Sequence, residues 1–408
     1  MTSSYTQSTD IPLQRRQFIR ILGGGAVSTI AAATAATAGL SACSQGMPSE
    51  AIEAWRGPDA TVVNNPDVRH WLLSYAILAP HSHNLQSWVA DLATPNQITL
   101  YCDLKRLLPQ TDPLSRQIMM SHGTFLELLD MAARERGLRA ETTLFPQGVF
   151  GPTTLDARPV ATVRLTPDAT VQKDALFAHI LQRHTNRSAY DIGRAIPATA
   201  WSALAAAAQP VAPMRVGYVG LDNAVALAEH RRIAREAWRI ELTVPRTIME
   251  SFDVLRVGAS EIAAHRDGLS LTSPMVVAME RLGLFDRTRA PAPDDYATTS
   301  QIKDFDAKLA STPGFLWMVT PGNDRATQIN AGRAYVRLQL AATGQGLAMQ
   351  PLSQALQEYA EQKQPYADIH ALVGAKTTGD TVQMWARVGY APMVEPAPRR
   401  RLKDFIRA

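Results

Sequence analysis

Cysteine and clustered charge are both scarce in this chain of 408 residues. Its two cysteines, Cys43 and Cys102, cannot build a disulfide framework or a thiolate metal cluster. Charged residues make up 19% of the chain, and the formal net charge is only +4, part of which comes from Arg15, Arg16 and Arg20. This charge therefore gives no reason to expect a nucleic-acid partner, whose phosphates require clustered positive charge.

Phosphate-loop motifs are missing as well. The chain contains no Walker loop and no dinucleotide glycine fingerprint. Hydrophobic residues make up 46% of the chain, which excludes wholesale disorder. The length allows two or three domains of about 100–200 residues each. Helical and strand patterns are mixed without strict alternation, which predicts an α+β fold rather than a doubly wound sheet.

Residues 1–42 have the layout of an export signal. The basic stretch Arg-Arg-Gln-Phe-Ile-Arg at 15–20 precedes a weakly apolar, small-residue stretch at 21–40. The paired arginines resemble a twin-arginine export signal, and we therefore expect export by that route. The alternative is a membrane-spanning anchor, although stretches rich in glycine and threonine insert poorly.

The sequence Leu-Ser-Ala-Cys at 40–43 resembles a lipobox. The resemblance implies that Cys43 is acylated and becomes the first mature residue, which would hold the protein on a lipid membrane at the periplasmic face. A soluble periplasmic protein that is cut nearby is the alternative. Residues 43–64 are then a tether. Because the twin-arginine route carries folded proteins, it also favours a cofactor that is bound before export.

The body of the chain contains an imperfect repeat. Residues 121–138 and 330–347 align without gaps at an offset of 209, and both have helical periodicity. The identities are Gly123/Gly332, Leu129/Leu338, Ala132/Ala341, Ala133/Ala342, Gly137/Gly346 and Leu138/Leu347. This pattern predicts duplication and fusion, with a first unit at 65–182 and a second at 183–408. The polar, proline-rich stretch 286–312 is predicted to be a loop or lid.

Three segments resemble parts of the nitroreductase family. Residues 79–88, Ala-Pro-His-Ser-His-Asn-Leu-Gln-Ser-Trp, look like the family's Ala-Pro-Ser-x-x-Asn-x-Gln-Pro-Trp segment. Residues 183–190, Arg-His-Thr-Asn-Arg-Ser-Ala-Tyr, look like its opening segment, and Pro-Arg-Arg-Arg at 398–401 looks like its basic tail. With the repeat, the chain resembles the Acg-type proteins of this family, in which two units share one polypeptide. The resemblance implies a nitroreductase-like fold with an intrachain pseudo-dimer.

The resemblance also implies an FMN site with residues from both units. The residues expected near the FMN phosphate are Arg183, His184, Thr185, Arg187, Arg399, Arg400 and Arg401. Those expected beside the flavin ring are Pro80, His81, Ser82, Asn84 and Gln86, with Pro351, Leu352, Ser353 and Gln354 near its N5 atom. Because each segment occurs in only one half, we expect a single composite site. No catalytic acid or base is assigned, since the flavin carries its own reactivity.

The sequence departs from the family pattern at three places, and the predicted site residues have alternative interpretations. Ser87 replaces the family's proline, His81 replaces its serine, and Ser353-Gln354 replace its Glu-Gly. The arginines at 183 and 187 could instead be solvated at a helix end, and the amides at 84 and 86 could be loop residues. A metal at His81, His83 and His122 is not expected, because no carboxylate or cysteine spacing supports it.

We therefore expect an exported FMN-dependent oxidoreductase that reduces a small acceptor such as a nitroaromatic or a quinone. NAD(P)H is not expected outside the inner membrane, so the sequence does not identify the reductant. A non-catalytic flavin-binding protein, with 286–312 over the ring, is one alternative. A pseudoenzyme that has lost FMN is another. A fused pseudo-dimer removes the usual reason to dimerise, so we expect a monomer.

Overall fold

The computed structural model describes residues 46–209, 211, 213–376 and 378–407. The predicted export signal and Cys43 lie outside these ranges, so the expectations about them stay predictions. Within the described ranges, no helix combines the length and the apolar character that crossing a bilayer requires.

The first half of the described chain contains three helices and four strands. The helices are α1 (Ala60–Val63), α2 (Val68–Ala76) and α3 (Arg116–Glu135), and the strands are β1 (Trp88–Asp91), β2 (Gln97–Cys102), β3 (Leu138–Leu144) and β4 (Ala161–Pro167). Helix α2 begins where the Asp67 carboxylate accepts the backbone N–H of Arg69. In β2, Ile98, Leu100 and Cys102 alternate with more exposed residues, so one face of the strand enters the core.

The second half contains eight helices and seven strands within the described residues. The helices are α4 (Ala198–Ala208), α5 (Ala224–Thr243), α6 (Pro245–Asp253), α7 (Gly258–His265), α8 (Pro274–Arg281), α9 (Tyr296–Ala310), α10 (Arg325–Gly344) and α11 (Lys363–Leu372). The strands are β5 (Arg215–Val219), β6 (Leu255–Val257), β7 (Leu269–Leu271), β8 (Gly314–Pro321), β9 (Ala348–Pro351), β10 (Asp380–Gly389) and β11 (Ile406–Arg407). Helices and strands are mixed, as the α+β prediction requires.

The two main sheets share one strand order. The first half forms β1-β2-β4-β3, the second half forms β5-β8-β10-β9, and all these neighbours are antiparallel. In each half a long helix, α3 or α10, lies in sequence between the second and third strands. The terminal strand β11 adds to the first sheet, parallel to β1. The predicted second unit, 183–408, therefore contributes its last strand to the sheet of the first.

Helices α3 and α10, which carry the repeat, pack against each other through their glycines. A Cβ atom at Gly123 would lie 1.9 Å from the carbonyl oxygen of Ile329, and one at Gly332 would lie 1.8 Å from that of Met120. Met120 and Ile329 are themselves separated by the repeat offset, so the contact is reciprocal, as at a two-fold interface. Only glycine allows two helix backbones to approach so closely.

The first residue of each repeat helix reaches across to the other half. Arg116 donates to the carbonyls of Leu356 (2.8 Å) and Gln383 (2.9 Å), and it pairs with Glu358. Arg325 donates to the carbonyls of Leu114 (2.8 Å) and Gly151 (2.9 Å). Both guanidinium groups are buried. Each helix is thus anchored by polar contacts on the opposite half.

The predicted loop at 286–312 is wrong over most of its length, because Tyr296–Ala310 forms helix α9. Phe305 of this helix packs its ring 5.1 Å from that of Trp238 on α5, and Asp306 pairs with Arg235 at 2.6 Å. The helix was missed because most of its surface is polar and only a few residues, such as Leu309, enter the core. Residues 286–295 are irregular, as expected.

Candidate functional site

The turn after α2 holds an unusual backbone conformation. His83, Asn84 and Gln86 all have positive φ values, of 49°, 54° and 55°. Residues with side chains rarely adopt this region, and such strain persists only where surrounding contacts over-determine it. Asn84 accepts a hydrogen bond from Arg399 at 2.7 Å and donates to the carbonyl of Pro398 at 3.1 Å. The C-terminal arm of the chain therefore holds this turn.

Gln86 is fully buried, and both ends of its amide are occupied. Its Nε2 donates to the carbonyl of Arg266 at 2.9 Å, and its Oε1 accepts the backbone N–H of Arg400 at 2.9 Å. The backbone carbonyl of Asn84 also accepts the N–H of Gly268 at 3.2 Å. The prediction that the Gln86 side chain faces the flavin ring is wrong, because both ends of this amide bind protein backbone.

Arg183 and Arg399 converge on the end of α2. Arg183 donates to the carbonyl of Leu78 at 2.9 Å and to Gln339 Oε1 at 3.0 Å. Arg399 donates to the carbonyls of Leu78 and Ala79, each at 3.2 Å. The structure thus brings the predicted Arg183 segment of the second half to the predicted turn of the first half, together with the first arginine of the basic tail.

Trp55 lies over both of these arginines. The centre of its ring is 5.3 Å from the Arg183 guanidinium carbon and 4.8 Å from that of Arg399, within the range of cation–π attraction. The ring of His184 meets its edge at 5.0 Å. The indole N–H donates to the carbonyl of Ala397 at 2.8 Å.

Arg187 and Arg387 lie close to each other, near Tyr190. Arg387 is buried, donates to Gln350 Oε1 and to the carbonyl of Ser188, each at 2.7 Å, and lies 4.0 Å from the ring centre of Tyr190. Among the described residues, none forms a hydrogen bond or ion pair with the Arg187 side chain. Arg187 is exposed, yet the surrounding protein lowers its pKa by desolvation. Many protein atoms therefore surround this accessible side chain.

Unsatisfied donors collect around these arginines. Among the buried polar atoms without a hydrogen-bond partner in the described chain, six lie here: Nε of Arg183, both ring nitrogens of His184, the hydroxyl of Tyr335, Nε2 of Gln339 and Nε of Arg399. We call Arg183, His184, Arg187, Tyr335, Gln339, Arg387 and Arg399 the donor cluster. Orphaned buried polar groups are rare, and a set dominated by N–H and O–H donors fits an acceptor-rich, anionic ligand.

The electrostatics of the donor cluster agree with its hydrogen bonding. Burial, together with the charges of Arg183 and Arg399, lowers the pKa of His184 to about 4. Burial lowers the pKa of Arg183 to about 10 and that of Arg399 well below its ordinary value. Within the part of the chain that the structure describes, no carboxylate pairs with an arginine of the cluster. The phosphate of FMN, with nearly two negative charges, fits this set of donors.

His83 connects the turn to the donor cluster. Burial lowers the pKa of His83 to about 4, and the nearby charge of Arg187 contributes to that shift. The strained turn and the Arg187 side chain are thus close enough for the charge of Arg187 to act on His83. His81 is different: its ring contacts the carbonyl of Ser82 at 2.8 Å and accepts the N–H of Ser87 at 3.0 Å, so both nitrogens are used within the turn.

The remaining residues of the predicted turn contact α3. The carbonyl of Pro80 accepts the Thr124 hydroxyl at 2.8 Å, and the backbone N–H of Ser82 donates to Ser121 at 3.2 Å. Near the cluster itself, Thr185 is half-buried beside His184. Contacts of these residues with the flavin stay predictions.

Arg400 and Arg401 lie away from the donor cluster. Arg400 donates to the carbonyls of Gln86 (3.2 Å) and Asp404 (2.7 Å), and Arg401 is exposed. The expectation that these two residues reach the phosphate is therefore corrected. Of the three tail arginines, only Arg399 joins the cluster, because the chain turns at 402–404 to place β11 on the first sheet.

The predicted N5 loop lies at the edge of the same region. The carbonyl of Met349 in β9 accepts the backbone N–H of Asn186 at 3.0 Å, so this strand adjoins the donor cluster. The strand ends at Pro351, Leu352 is buried, Ser353 is half-buried, and the amide of Gln354 points to Glu241 at 3.4 Å. A flavin contact of these four residues stays a prediction.

A metal centre finds no support in the described ranges, where no three His, Cys, Asp or Glu side chains are grouped to hold an ion. His122 is buried and contacts the carbonyl of Ile118 at 2.9 Å. Cys102 is a buried free thiol of β2.

Four residues near the site were missed by reading the sequence: Trp55, Tyr335, Gln339 and Arg387. Tyr335 and Gln339 lie four residues apart on α10, a spacing that places them on one helix face. This polar pair within a repeat helix was a usable signal. Trp55 carries no such signal, because its partners are more than 120 residues away in sequence.

Comparison with known proteins finds relatives in Mycobacterium tuberculosis. No protein-family profile matches the chain. The chain is 27% identical over 361 residues to proteins of two Mycobacterium tuberculosis strains named "Putative NAD(P)H nitroreductase", covering 86% of this chain and 95% of each relative. This similarity supports membership of the nitroreductase family.

Solved structures with lower similarity include two flavin proteins. One is the FMN-dependent nitroreductase NfnB from Mycobacterium smegmatis in complex with NADPH, with 16% identity, 57% of this chain and 97% of that chain covered, and a TM-score of 0.37. The other is oxidized iodotyrosine deiodinase bound to FMN and 3-iodo-L-tyrosine, with 15% identity, 55% and 95% coverage, and a TM-score of 0.32. Overlaps this distant add nothing to the argument about the site.

Proposed function

We propose that this protein is an FMN-dependent oxidoreductase of nitroreductase type. Its relatives in Mycobacterium tuberculosis are named as NAD(P)H nitroreductases, and they match it over most of their length. The observation that carries the proposal is the donor cluster: several arginines and unsatisfied donors, without a carboxylate partner in the described chain, beside a strained turn. Such a cluster requires an anion, and FMN supplies one.

The residues of this chain have separate tasks in the proposed site. Arg187 and the unpartnered Nε–H groups of Arg183 and Arg399 bind phosphate oxygens, because guanidinium groups donate to phosphate through N–H groups in a fixed plane. Tyr335 and Gln339 donate from α10. When bound, FMN supplies two-electron transfer between a reductant and an acceptor. The polypeptide positions the cofactor and excludes water, and no side chain is assigned a proton transfer.

The proposal includes two fused units with one composite site. The shared strand order and the reciprocal glycine contact of α3 and α10 support the fusion. The single site is supported by the lack of an equivalent donor set at the repeat offset. Leu126 and Asp130 occupy the positions that correspond to Tyr335 and Gln339, and Asp130 pairs with Arg134 at 2.8 Å.

The proposed substrate is a small acceptor such as a nitroaromatic or a quinone. We also propose export by the twin-arginine route and acylation of Cys43, on the basis of residues 15–20 and 40–43. In that location a reductant other than cytoplasmic NAD(P)H is required.

The test is the visible spectrum of the protein folded in the cytoplasm with its signal removed. We expect bound FMN, bleaching by dithionite, and reoxidation that depends on an added quinone or nitroaromatic. Arg187→Ala should weaken FMN binding about 10- to 100-fold, since hydrogen bonds to charged groups contribute ~1.5–3 kcal/mol. The matched control is Arg158→Ala, which removes an exposed arginine paired with Asp156. Equal FMN affinity in both variants would contradict the phosphate assignment.

A non-catalytic flavin-binding role is the second candidate. It is favoured by the cover that Trp55 forms over Arg183 and Arg399. Reduced protein that reoxidises no faster with added acceptors than without them would establish this role in place of the first.

A further inference from the structure

The N-terminal stretch of the described chain lies across the C-terminal arm. We call residues 46–56 the strap. Its backbone N–H at Met47 donates to Glu395 at 3.0 Å, and its carbonyl at Ala51 accepts the backbone N–H of Arg399 at 2.8 Å. One ion pair, between Glu53 and Arg266 at 2.7 Å, ties it to the turn before β7. The strap is thus held by a few polar contacts and by the packing of Ile52, Ala54 and Trp55 against the core.

Trp55 is the one large side chain of the strap that enters the donor cluster, and it is 8% exposed. Its ring covers Arg183, Arg399 and His184 at once. Both arginines are buried, and the two nitrogens of His184 have no access to solvent and no partner in the described chain. An anion therefore cannot reach this side of the cluster from solvent while the indole is in place.

The strap ends at a position suited to bending. Gly57 has a φ of +88°, a conformation that residues with a side chain rarely adopt. The next helix, α1, begins at Ala60 with its own cap at Asp59. Movement of 46–56 about Gly57 would break the contacts named above and leave α1 unchanged.

We propose that the strap is a gate for the cofactor, with Trp55 as the residue that closes it. This inference rests on the proposed FMN site. FMN reaches the covered donors of Arg183, His184 and Arg399 only when the strap lifts, so the lifting step limits both association and dissociation. Trp55 in this role is a positioning residue: it acts on the arginines and on access, with no direct part in electron transfer.

The test compares FMN binding rates in Trp55→Ala, Trp55→Phe and the unchanged protein. Association is followed by quenching of flavin fluorescence on mixing with apoprotein, and dissociation by its recovery on dilution. Loss of two cation–π contacts and one hydrogen bond should raise both rate constants about tenfold or more. A gate changes the two rates together, so the dissociation constant should change less than about threefold. The rate constants of Trp55→Phe, which keeps an aromatic ring, should lie between those of Trp55→Ala and those of the unchanged protein.

Trp71→Ala is the matched control, because it removes a tryptophan that packs on Tyr75 and Phe177, outside the donor cluster. A similar acceleration in this control would show a general loss of stability and would overturn the gate. A rise in the dissociation rate alone would also overturn it, by making Trp55 a simple contact with bound FMN. If the unchanged protein bound no FMN, the function proposed above would fail and the gate with it. FMN bound at unaltered rates in Trp55→Ala would remove the gate alone.

Discussion

Replacing Gly332 with alanine should force apart the two helices on which the site is built. The new Cβ atom would lie 1.8 Å from the carbonyl oxygen of Met120, whereas ordinary contact begins at 3.4 Å. The backbones of α3 and α10 would therefore have to separate by the difference, 1.6 Å. The obstacle is backbone in the middle of a helix, which cannot move aside as a flexible side chain does.

The expected magnitude follows from two opposing effects. Overpacking a core costs ~1–3 kcal/mol where side chains can adjust, and the upper end applies to backbone contact. Alanine in place of glycine in a helix gains ~1 kcal/mol. We therefore expect the free energy of unfolding to fall by about 2 kcal/mol or more. Since the donor cluster and the strained turn come from opposite halves, FMN affinity should fall as well.

Urea denaturation followed by circular dichroism measures the first effect, and titration with FMN measures the second. Gly123→Ala, whose Cβ atom would lie 1.9 Å from the Ile329 carbonyl, should behave alike. Gly151→Ala is the matched control, because its nearest neighbour is a side chain at 3.4 Å, and its stability should change by less than about 0.5 kcal/mol. If Gly332→Ala were as stable as the control, the reciprocal helix contact would be refuted.

Two further predictions concern the turn and the donor cluster. Burial lowers the pKa of His184 to about 4, below the ordinary 6.5, so the unfolded chain binds a proton first as pH falls. The stability that His184 contributes should thus be complete above pH 6.5 and decline towards pH 4. In urea denaturation, the midpoint of His184→Gln should fall less over this pH range than that of the unchanged protein. An equal fall of the midpoint in both proteins would contradict the assignment. Gln86→Leu should cost about 2 kcal/mol or more, because it leaves the buried Arg266 carbonyl and Arg400 N–H without their partner. Unchanged urea unfolding of this variant would show that the amide does not hold the turn.

Much of the fold could be predicted from local pattern. The repeat segments 121–138 and 330–347 were predicted to be helical, and most of each lies in α3 or α10. The apolar residues of such elements recur with a regular spacing, and this periodicity can be read directly from the sequence. The short strand β1 was missed because its four residues carry little period, and its pairing depends on distant partners. Helix α9 was missed because its few core contacts are with α5.

The residues of the candidate site also divide into those that short motifs predict and those that only the folded chain reveals. Arg183, Arg187 and Arg399 could be selected from short motifs, and the structure places Arg183 and Arg399 at the end of α2. The occupied amide of Gln86 and the displacement of Arg400 could not be foreseen, because both depend on backbone groups that only the folded chain brings near.

The sequence by itself determined the α+β character, the helical repeat with its paired glycines, and the presence of an arginine-rich segment in each of two distant places. These are local properties, since periodicity and composition are written in neighbouring residues. Only the tertiary structure decided which arginines lack a carboxylate, which amides are already occupied, and that Trp55 covers the cluster. Those properties depend on distances between atoms that are far apart along the chain, and folding alone sets such distances.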